Sequence, residues 1–219
     1  MFKRNTNFGF IVGVKEEYDV TKYSNYHVKI AYGAKNAREA AKVLCKKVKC
    51  IVSFGFAASV DSELTNGEIV IPKFLINKRK EKKLLSSKYR SPILRKLSEQ
   101  KVNERAIFSV DKIINKKESK INIYKEFKAS SIDMESYSIS KVCFHEKIPL
   151  IVVRVIFDDL SFNIPDYIVK NTNVNGKLSV KNLSKFLLLN PHKVFNLMKL
   201  CIYYLTAKKK LKKIFKKCF

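Results

Sequence analysis

Several devices that proteins use for bracing or anchoring are scarce in this sequence. It holds five cysteines, an odd number, with no C-x-x-C pair and no histidine cluster nearby. That argues against a structural zinc site and points to reduced thiols in a cytoplasmic setting, and a chain of this length needs no disulfide scaffold. Cys45 and Cys50 read as helix and strand filler. His27, His145 and His192 stand in unlike contexts, so no metal is expected. Long apolar runs are absent too. The run from Phe8 to Val14 is broken by two glycines and followed by charge, unlike a signal peptide. "VFNLMKLCIYYLTA" is interrupted by Lys199 and is shorter than the ~20 residues a bilayer-spanning helix needs.

Acid is the scarcest class relative to its counterpart, with 19 Asp and Glu against 45 Lys and Arg, a net charge of +26. Such a balance has three readings: nucleic-acid binding, attraction to an anionic membrane surface, or a coding bias that places lysine wherever a long polar residue is tolerated. Few glycines and prolines beside many Asn and Ile suit the last. The lysines are spread along the chain without a zinc-finger, RNP or recognition-helix pattern, so no nucleic-acid partner is expected. With 219 residues, one domain can bury a full core unaided.

Along the chain, "FGFIVGV" reads as a buried strand and "KYSNYHVKIAYG" as one or two more. From Asn36 the period changes, and Ala37, Ala40, Ala41, Leu44 and Val48 form one helical stripe. "CIVSFGF" is a further buried strand, "NGEIVIPKFLI" a turn and a strand, and "NERAIFSVDKIIN" another strand. Between these two lies a charged segment ending in a surface helix. "SSIDMESYSISKVCFHEKI" is helical in its second half, and after Pro149 comes "LIVVRVIFDD", apolar and β-branched, as expected for a strand covered on both faces. Strands alternating with helices predict a layered α/β domain. Residues 1–170 are expected to form it. Residues 171–219 are expected to form a helical extension, with a turn at Gly176, a break at Pro191 and a basic amphipathic end. In that end Leu211, Ile214, Phe215, Cys218 and Phe219 recur every three or four residues among seven lysines.

Four ordered segments carry a resemblance: Glu17 after "FIVGVKE", then "GFAASVDSELTNGEIVIP", "IDMES" and "VVRVIFDD". Together they resemble the nucleoside phosphorylase and nucleosidase superfamily over roughly residues 8–160. The resemblance implies a three-layer αβα sandwich with a central mixed sheet and cleavage of a purine N-glycosidic bond, without an organic cofactor. "SFGFAASVD" and "LNPHKVFNLMKL" resemble most the hopanoid-associated branch, whose members are thought to release adenine from adenosylhopane, a membrane lipid. A soluble methylthioadenosine/S-adenosylhomocysteine nucleosidase or a purine nucleoside phosphorylase is the alternative. A catalytically weakened nucleoside-binding protein is a third.

Breaking that bond builds positive charge on the ribose and negative charge on the base, so an acid is wanted at the base and anionic support at the sugar. By the resemblance Asp158 donates to N7 of the purine, which requires burial to raise its pKa. Asp159 is its rival, expected nearer solvent, although two aspartates at a strand end also serve simply as caps. Glu135 is implied to accept from the ribose hydroxyls, Met134 to pack on the sugar and Asp133 to support from behind. Glu17 is implied to activate water or order the nucleophile site, with Glu16 and Tyr18 one register step away. Arg154 needs a carboxylate or the nucleophile as partner. Gly55, Phe56, Ala57 and Ala58 are implied to line the ribose pocket, with Asp111 and Ile113 on the base side.

The chain departs from the family at Ala58 and Ser59, where glycines are usual and an added methyl can obstruct. It departs again at Phe56, where a hydroxyl often holds water, and at Ile113, where a phenylalanine is common. Phosphate is a candidate co-substrate. A phosphate dianion wants arginines, and only Arg4, Arg38 and Arg154 are near, which favours water. A homo-oligomer, a dimer by choice among the family's states, is expected. An anionic membrane surface met through Lys208–Phe219 is the other expected partner, placing a cytoplasmic protein peripherally on the inner membrane.

Overall fold

The computed structural model describes residues 5–162, 164–171 and 179–219. Its centre is a mixed sheet of ten strands with helices on both faces, the three-layer sandwich expected. The middle of the sheet is β3 (Cys50–Ser59) beside β10 (Leu150–Asp158), parallel and in register from Leu150 opposite Ile51 to Ile156 opposite Ala57. β10 is a nearly continuous run of Val, Ile and Phe, and β3 is buried along most of its length, because helices cover each face. Strands β4 (Ile69–Val70) and β7 (Val102–Asn103) extend the sheet beyond β10.

The other edge of β3 is shared. Its first half pairs in parallel with β1 (Asn5–Val12), which carries β2 (Tyr26–Ile30) outside it. Its last two residues pair in the antiparallel sense with β9 (Ser131–Asp133), which leads on to β8 (Ile107–Ser109), β5 (Phe74–Ile76) and β6 (Lys82–Leu84). Between Ser53, the last partner of β1, and Ala58, the first partner of β9, that edge has no neighbouring strand. Ligands in open α/β sheets bind where neighbouring strands diverge in this way.

Helix α1 (Lys15–Thr21) follows β1 directly, and α2 (Gly33–Cys45) follows β2. Helix α2 begins three residues before the expected Asn36, with Gly33 in the left-handed region at φ +77°. Its stripe of Ala37, Ala41 and Leu44 is buried against α5 (Ser136–His145) and the sheet. Helix α3 (Ser87–Lys96) closes the charged segment. The sequence reading placed no helix at α4 (Lys117–Phe127), nor at α1. Helices α6 (Asp166–Lys170) and α7 (Val180–Leu189) precede α8 (Val194–Cys218), with a single 3₁₀ turn at Pro191–Lys193 between α7 and α8. The Gly176 turn lies outside the described residues.

Helix α8 corrects two expectations. Its last turns are not an appended extension, and their apolar stripe does not face outward. Ala207, Leu211, Ile214 and Cys218 are buried in one cluster with Phe10, Phe54 and Val153 of the central strands. Phe215 and Phe219 pack edge-on against Phe10, with ring centroids 5.3 and 4.9 Å away. The Tyr26 hydroxyl donates to the Phe219 carbonyl at 2.7 Å, and Lys96 donates to that of Cys218 at 2.9 Å. Burying each of Leu211 and Ile214 contributes about 1.5–3 kcal/mol against the sheet, so the apolar side of Lys208–Phe219 is core and cannot also enter a bilayer. Among the described residues, no helix is long and apolar enough to cross a membrane.

Candidate active site

A cavity of about 510 Å³ opens where the edge of β3 lies free, a size that suits a small ligand. Its floor is Phe56, Ala57 and Ala58 of β3. One wall comes from the ends of β1 and β9, each followed within five residues by an acid. Glu17 lies in the first turn of α1, and Glu135 caps the start of α5. The opposite wall holds Phe157 and Asp158 at the end of β10, and α8 closes the top with Leu197, Leu200, Cys201 and Tyr204. Glu135 and Asp158, read from the sequence as the sugar-side and base-side groups, therefore line one cavity from different strands.

Glu17 is buried and tied to main chain. One carboxylate oxygen accepts from the N–H groups of Gly13 at 2.6 Å and Val14 at 3.1 Å. The other accepts from Phe56 at 2.7 Å, an N–H that the missing strand would otherwise use. Burial raises its pKa, with Arg154 and the three N–H groups opposing. Glu16 and Tyr18 are less buried, so Glu17 is the acid that points inward. Gly13 separates the two acids, since a Cβ there would lie 3.4 Å from an oxygen of each. Glu135 accepts from the Gly33 N–H, the first of α2, at 2.9 Å, a place where the helix dipole favours negative charge. Burial and then the charge of Asp133 nonetheless push Glu135 up to about 7, with Arg154 opposing.

Asp133 lines the cavity but is fully engaged behind it. It accepts from Ser109 at 2.7 Å, from Ser136, and from Arg154 Nε and Nη2 at 3.0 and 2.9 Å. Arg154 in turn donates to Ser53 and Ser136, at 2.7 and 3.0 Å. This buried knot ties β3, β9, β10 and α5 together, which sets the positions of Glu135 and Asp158 relative to each other. Arg154 thus stands behind the cavity with Asp133 as its partner, and does not line it.

Asp158 carries a partner that the sequence reading did not name. Lys120 of α4, 0% exposed, donates to Asp158 Oδ2 at 2.6 Å and to the Asp159 carbonyl at 3.3 Å. Burial raises the pKa of Asp158, and Lys120 opposes that rise. An ammonium in that place stabilises the ionised form of Asp158, because opposite charges attract strongly away from water. A signal existed. Lys120 shares its helical face with Ile123, Tyr124 and Phe127, at spacings of three, four and seven, so a lysine sat on the apolar stripe.

Further placements decide open points. Asp159 is buried, not solvent-facing, and its carboxylate holds the next loop by accepting from Ser161, Phe162 and Asn66; Asp158 alone of the pair lines the cavity. Asp111 is a correction: its side chain is 71% exposed, pairs with Lys78 on the surface and does not line the cavity. Ile113 and Met134 do line the cavity. Ala58 lies in the strand ladder opposite Ile132, and Ser59 opposite Ser131; neither has the positive φ that would demand glycine. Gly55 is the position that must lack a side chain, because a Cβ there would lie 2.2 Å from Glu17 Oε1. The ring of Phe56 joins Phe157 and Tyr204, with centroids 5.9 and 6.3 Å away, in an aromatic wall.

Similarity to known proteins follows the same outline. The chain is 26% identical to a 5'-methylthioadenosine/S-adenosylhomocysteine nucleosidase of Buchnera aphidicola subsp. Baizongia pistaciae, over 86% of this chain and 93% of that protein. Its fold is that of a futalosine hydrolase of Helicobacter pylori strain 26695, with a TM-score of 0.70 at 17% identity, covering 97% of each chain. The 5'-methylthioadenosine/S-adenosylhomocysteine nucleosidase of Neisseria meningitidis, solved with methylthio-immucillin-A, gives a TM-score of 0.69 at 14% identity, over 97% of this chain and 99% of that one. The pattern of the family described as Phosphorylase superfamily matches residues 26–188, which span β2, β3, β9, β10 and the cavity floor. With the sheet, the acids and the family pattern in one frame, this chain belongs to the phosphorylase superfamily.

Proposed function

We propose that the protein hydrolyses the N-glycosidic bond of an adenosine bearing an apolar 5′ substituent, releasing adenine. The observation that carries this reading is that Glu135 and Asp158 line one cavity. In the proposed step the C1′–N9 electron pair leaves with the base, and Asp158 gives its proton to N7. Lys120 then faces the resulting carboxylate. The ribose hydroxyls donate to Glu135, which lowers the energy of the cationic sugar, and water adds to C1′ while losing its proton on the side of Glu17. Water is favoured over phosphate because the described residues lining the cavity include no Lys or Arg, whereas a phosphate dianion needs such donors. Arg154 is committed to Asp133, and Arg4 lies outside the described residues.

The apolar 5′ group is supported by the end of the cavity under α8, where Ile164, Ile168, Leu197 and Leu200 meet. A thioether, as in the substrates that name several relatives, suits that surface. A second reading, release of adenine from adenosylhopane, draws on the same apolar end and on the resemblance of "LNPHKVFNLMKL" to the hopanoid-associated branch. Adenine release is measured on methylthioadenosine, S-adenosylhomocysteine and vesicle-borne adenosylhopane, with and without phosphate. Turnover falling about 10²–10⁴-fold in Asp158→Asn is expected. No adenine from any of the three, or an Asp158→Asn variant as fast as the parent, overturns the proposal.

A further inference from the structure

The outer face of the α7–α8 hairpin is neither core nor part of the cavity. Phe195, Met198, Ile202 and Leu205 are 77, 57, 61 and 60% exposed. Spaced by three, four and three, they form one stripe along the first three turns of α8. Leu188 and Leu189, also exposed, end α7 just before it. The inner faces of the same helices are fully used. Leu183, Phe186 and Leu187 of α7 pack with Tyr167 and Ile168 of α6, while Leu197, Leu200 and Tyr204 of α8 line the cavity. Of the thirteen large hydrophobic side chains exposed among the described residues, seven fall between Leu188 and Leu205. Apolar exposure is thus concentrated in one segment, the end of α7 and the first three turns of α8, and such patches mark contact surfaces.

The charge around the stripe says what covers it. Between Leu183 and Lys210 the sequence has Lys185, Lys193, Lys199, Lys208, Lys209 and Lys210 and no Asp or Glu. A second copy of this chain would bring those lysines against themselves in a low-dielectric contact, which is repulsive. Nucleic acid would satisfy the lysines but not a row of Met, Ile and Leu. An anionic lipid surface satisfies both, since each Lys near an anionic leaflet contributes about 1 kcal/mol and apolar side chains enter the acyl boundary. The aromatic edge fits as well. Lys199 lies over the rings of Phe162 and Tyr203, 5.0 and 5.7 Å from their centroids, and Lys208 lies 5.2 Å from that of Tyr204. Such side chains can keep their charged ends among headgroups while their stems lie along apolar surface.

We infer that the outer face of the α7–α8 hairpin, centred on Phe195, Met198, Ile202 and Leu205, docks the protein on an anionic bilayer. The surface differs from the one expected at Lys208–Phe219, whose apolar side is core. Docking here sets the apolar end of the cavity one helix thickness from the lipid, so a nucleoside with a long apolar 5′ group could be drawn in beneath α8. That consequence rests on the proposed nucleosidase reading; the docking itself does not.

Flotation of the full chain with vesicles tests it. Vesicles of phosphatidylcholine with about 30 mol% phosphatidylglycerol should carry the protein at ~0.1 M salt, and phosphatidylcholine alone should carry far less. Phe195→Ser/Ile202→Ser should weaken binding about tenfold or more, with an unchanged circular dichroism melt because both side chains are exposed. Lys212→Gln/Lys213→Gln, beyond the stripe, should weaken it far less. Equal flotation of the parent and the Phe195→Ser/Ile202→Ser variant overturns the inference. So does failure to float while the protein sediments as a dimer that this variant splits, which would assign the face to a second copy, or while it binds only an acidic protein. Flotation without any adenine release would sink the nucleosidase reading and leave docking standing.

Discussion

Alanine at Gly55 should cripple the site through a single methyl group. The new Cβ would lie 2.2 Å from Glu17 Oε1 and 2.5 Å from Glu17 Cδ. Carbon and oxygen settle no closer than ~3.3 Å, so the carboxylate must retreat by about 1 Å. That oxygen accepts from Phe56 N–H at 2.7 Å, and such a retreat takes the bond beyond the ~3.2 Å limit of useful geometry. A hydrogen bond to a charged group contributes about 1.5–3 kcal/mol. Independently, a catalytic group displaced by 1 Å loses about 10²-fold in rate, equivalent to ~2.7 kcal/mol. Alanine itself is favoured over glycine in a strand by ~0.5–1 kcal/mol, so activity should fall more than stability does. Adenine release and thermal unfolding of the same Gly55→Ala preparation measure the two effects. Adding Glu17→Asp, whose shorter arm withdraws from the methyl, should recover part of the melting temperature. If Gly55→Ala keeps kcat/KM within about threefold of the parent, the carboxylate is not held where its contacts place it, and the role given to Glu17 fails with it.

Replacing Lys120 by Met leaves Asp158 buried without its counter-charge, so its carboxyl stays protonated to higher pH. The alkaline limb of kcat should move up by about one pH unit or more while the plateau falls; an unchanged pH profile would refute the pairing. Glu135, raised from 4.5 to about 7 by burial and Asp133, binds its proton more tightly in the native state than in the unfolded one. Its contribution to stability is therefore full below about pH 4.5 and is lost as pH rises through about 7, at most ~3 kcal/mol. Urea unfolding should show this fall, and Glu135→Gln should flatten it, the remaining slope belonging to Glu17 and Asp158, which burial shifts the same way. A slope that Glu135→Gln leaves intact would contradict the assignment. Leu211→Ala should cost about 2–5 kcal/mol because Leu211 is fully buried; a melting temperature unmoved by it would return the last turns of α8 to an appended tail.

The central strands were legible because β-branched and aromatic runs such as "LIVVRVIF" leave little else for the chain to do. So was the pairing of Glu135 with Asp158, since ordered acids at strand ends carry the family likeness. Direction was harder to read. A helical stripe of Leu, Ile and Phe says that one side of α8 is covered, but a protein core and a bilayer want the same residues, and the Leu211 side was assigned to the wrong one. Asp111 and Lys120 show the same limit for charge. Each is one polar residue near a strand end or on a helix: the turn of α4 sends Lys120 inward to Asp158, while Asp111, in the loop before α4, pairs with Lys78 on the surface.

Phe56 serves Glu17 through its main chain, not its ring. Every amino acid except proline offers that same N–H. The side chain at this position is thus at liberty to change from a hydroxyl to an aromatic without unseating Glu17, and the cavity floor can be reshaped while the buried acids around it stay put.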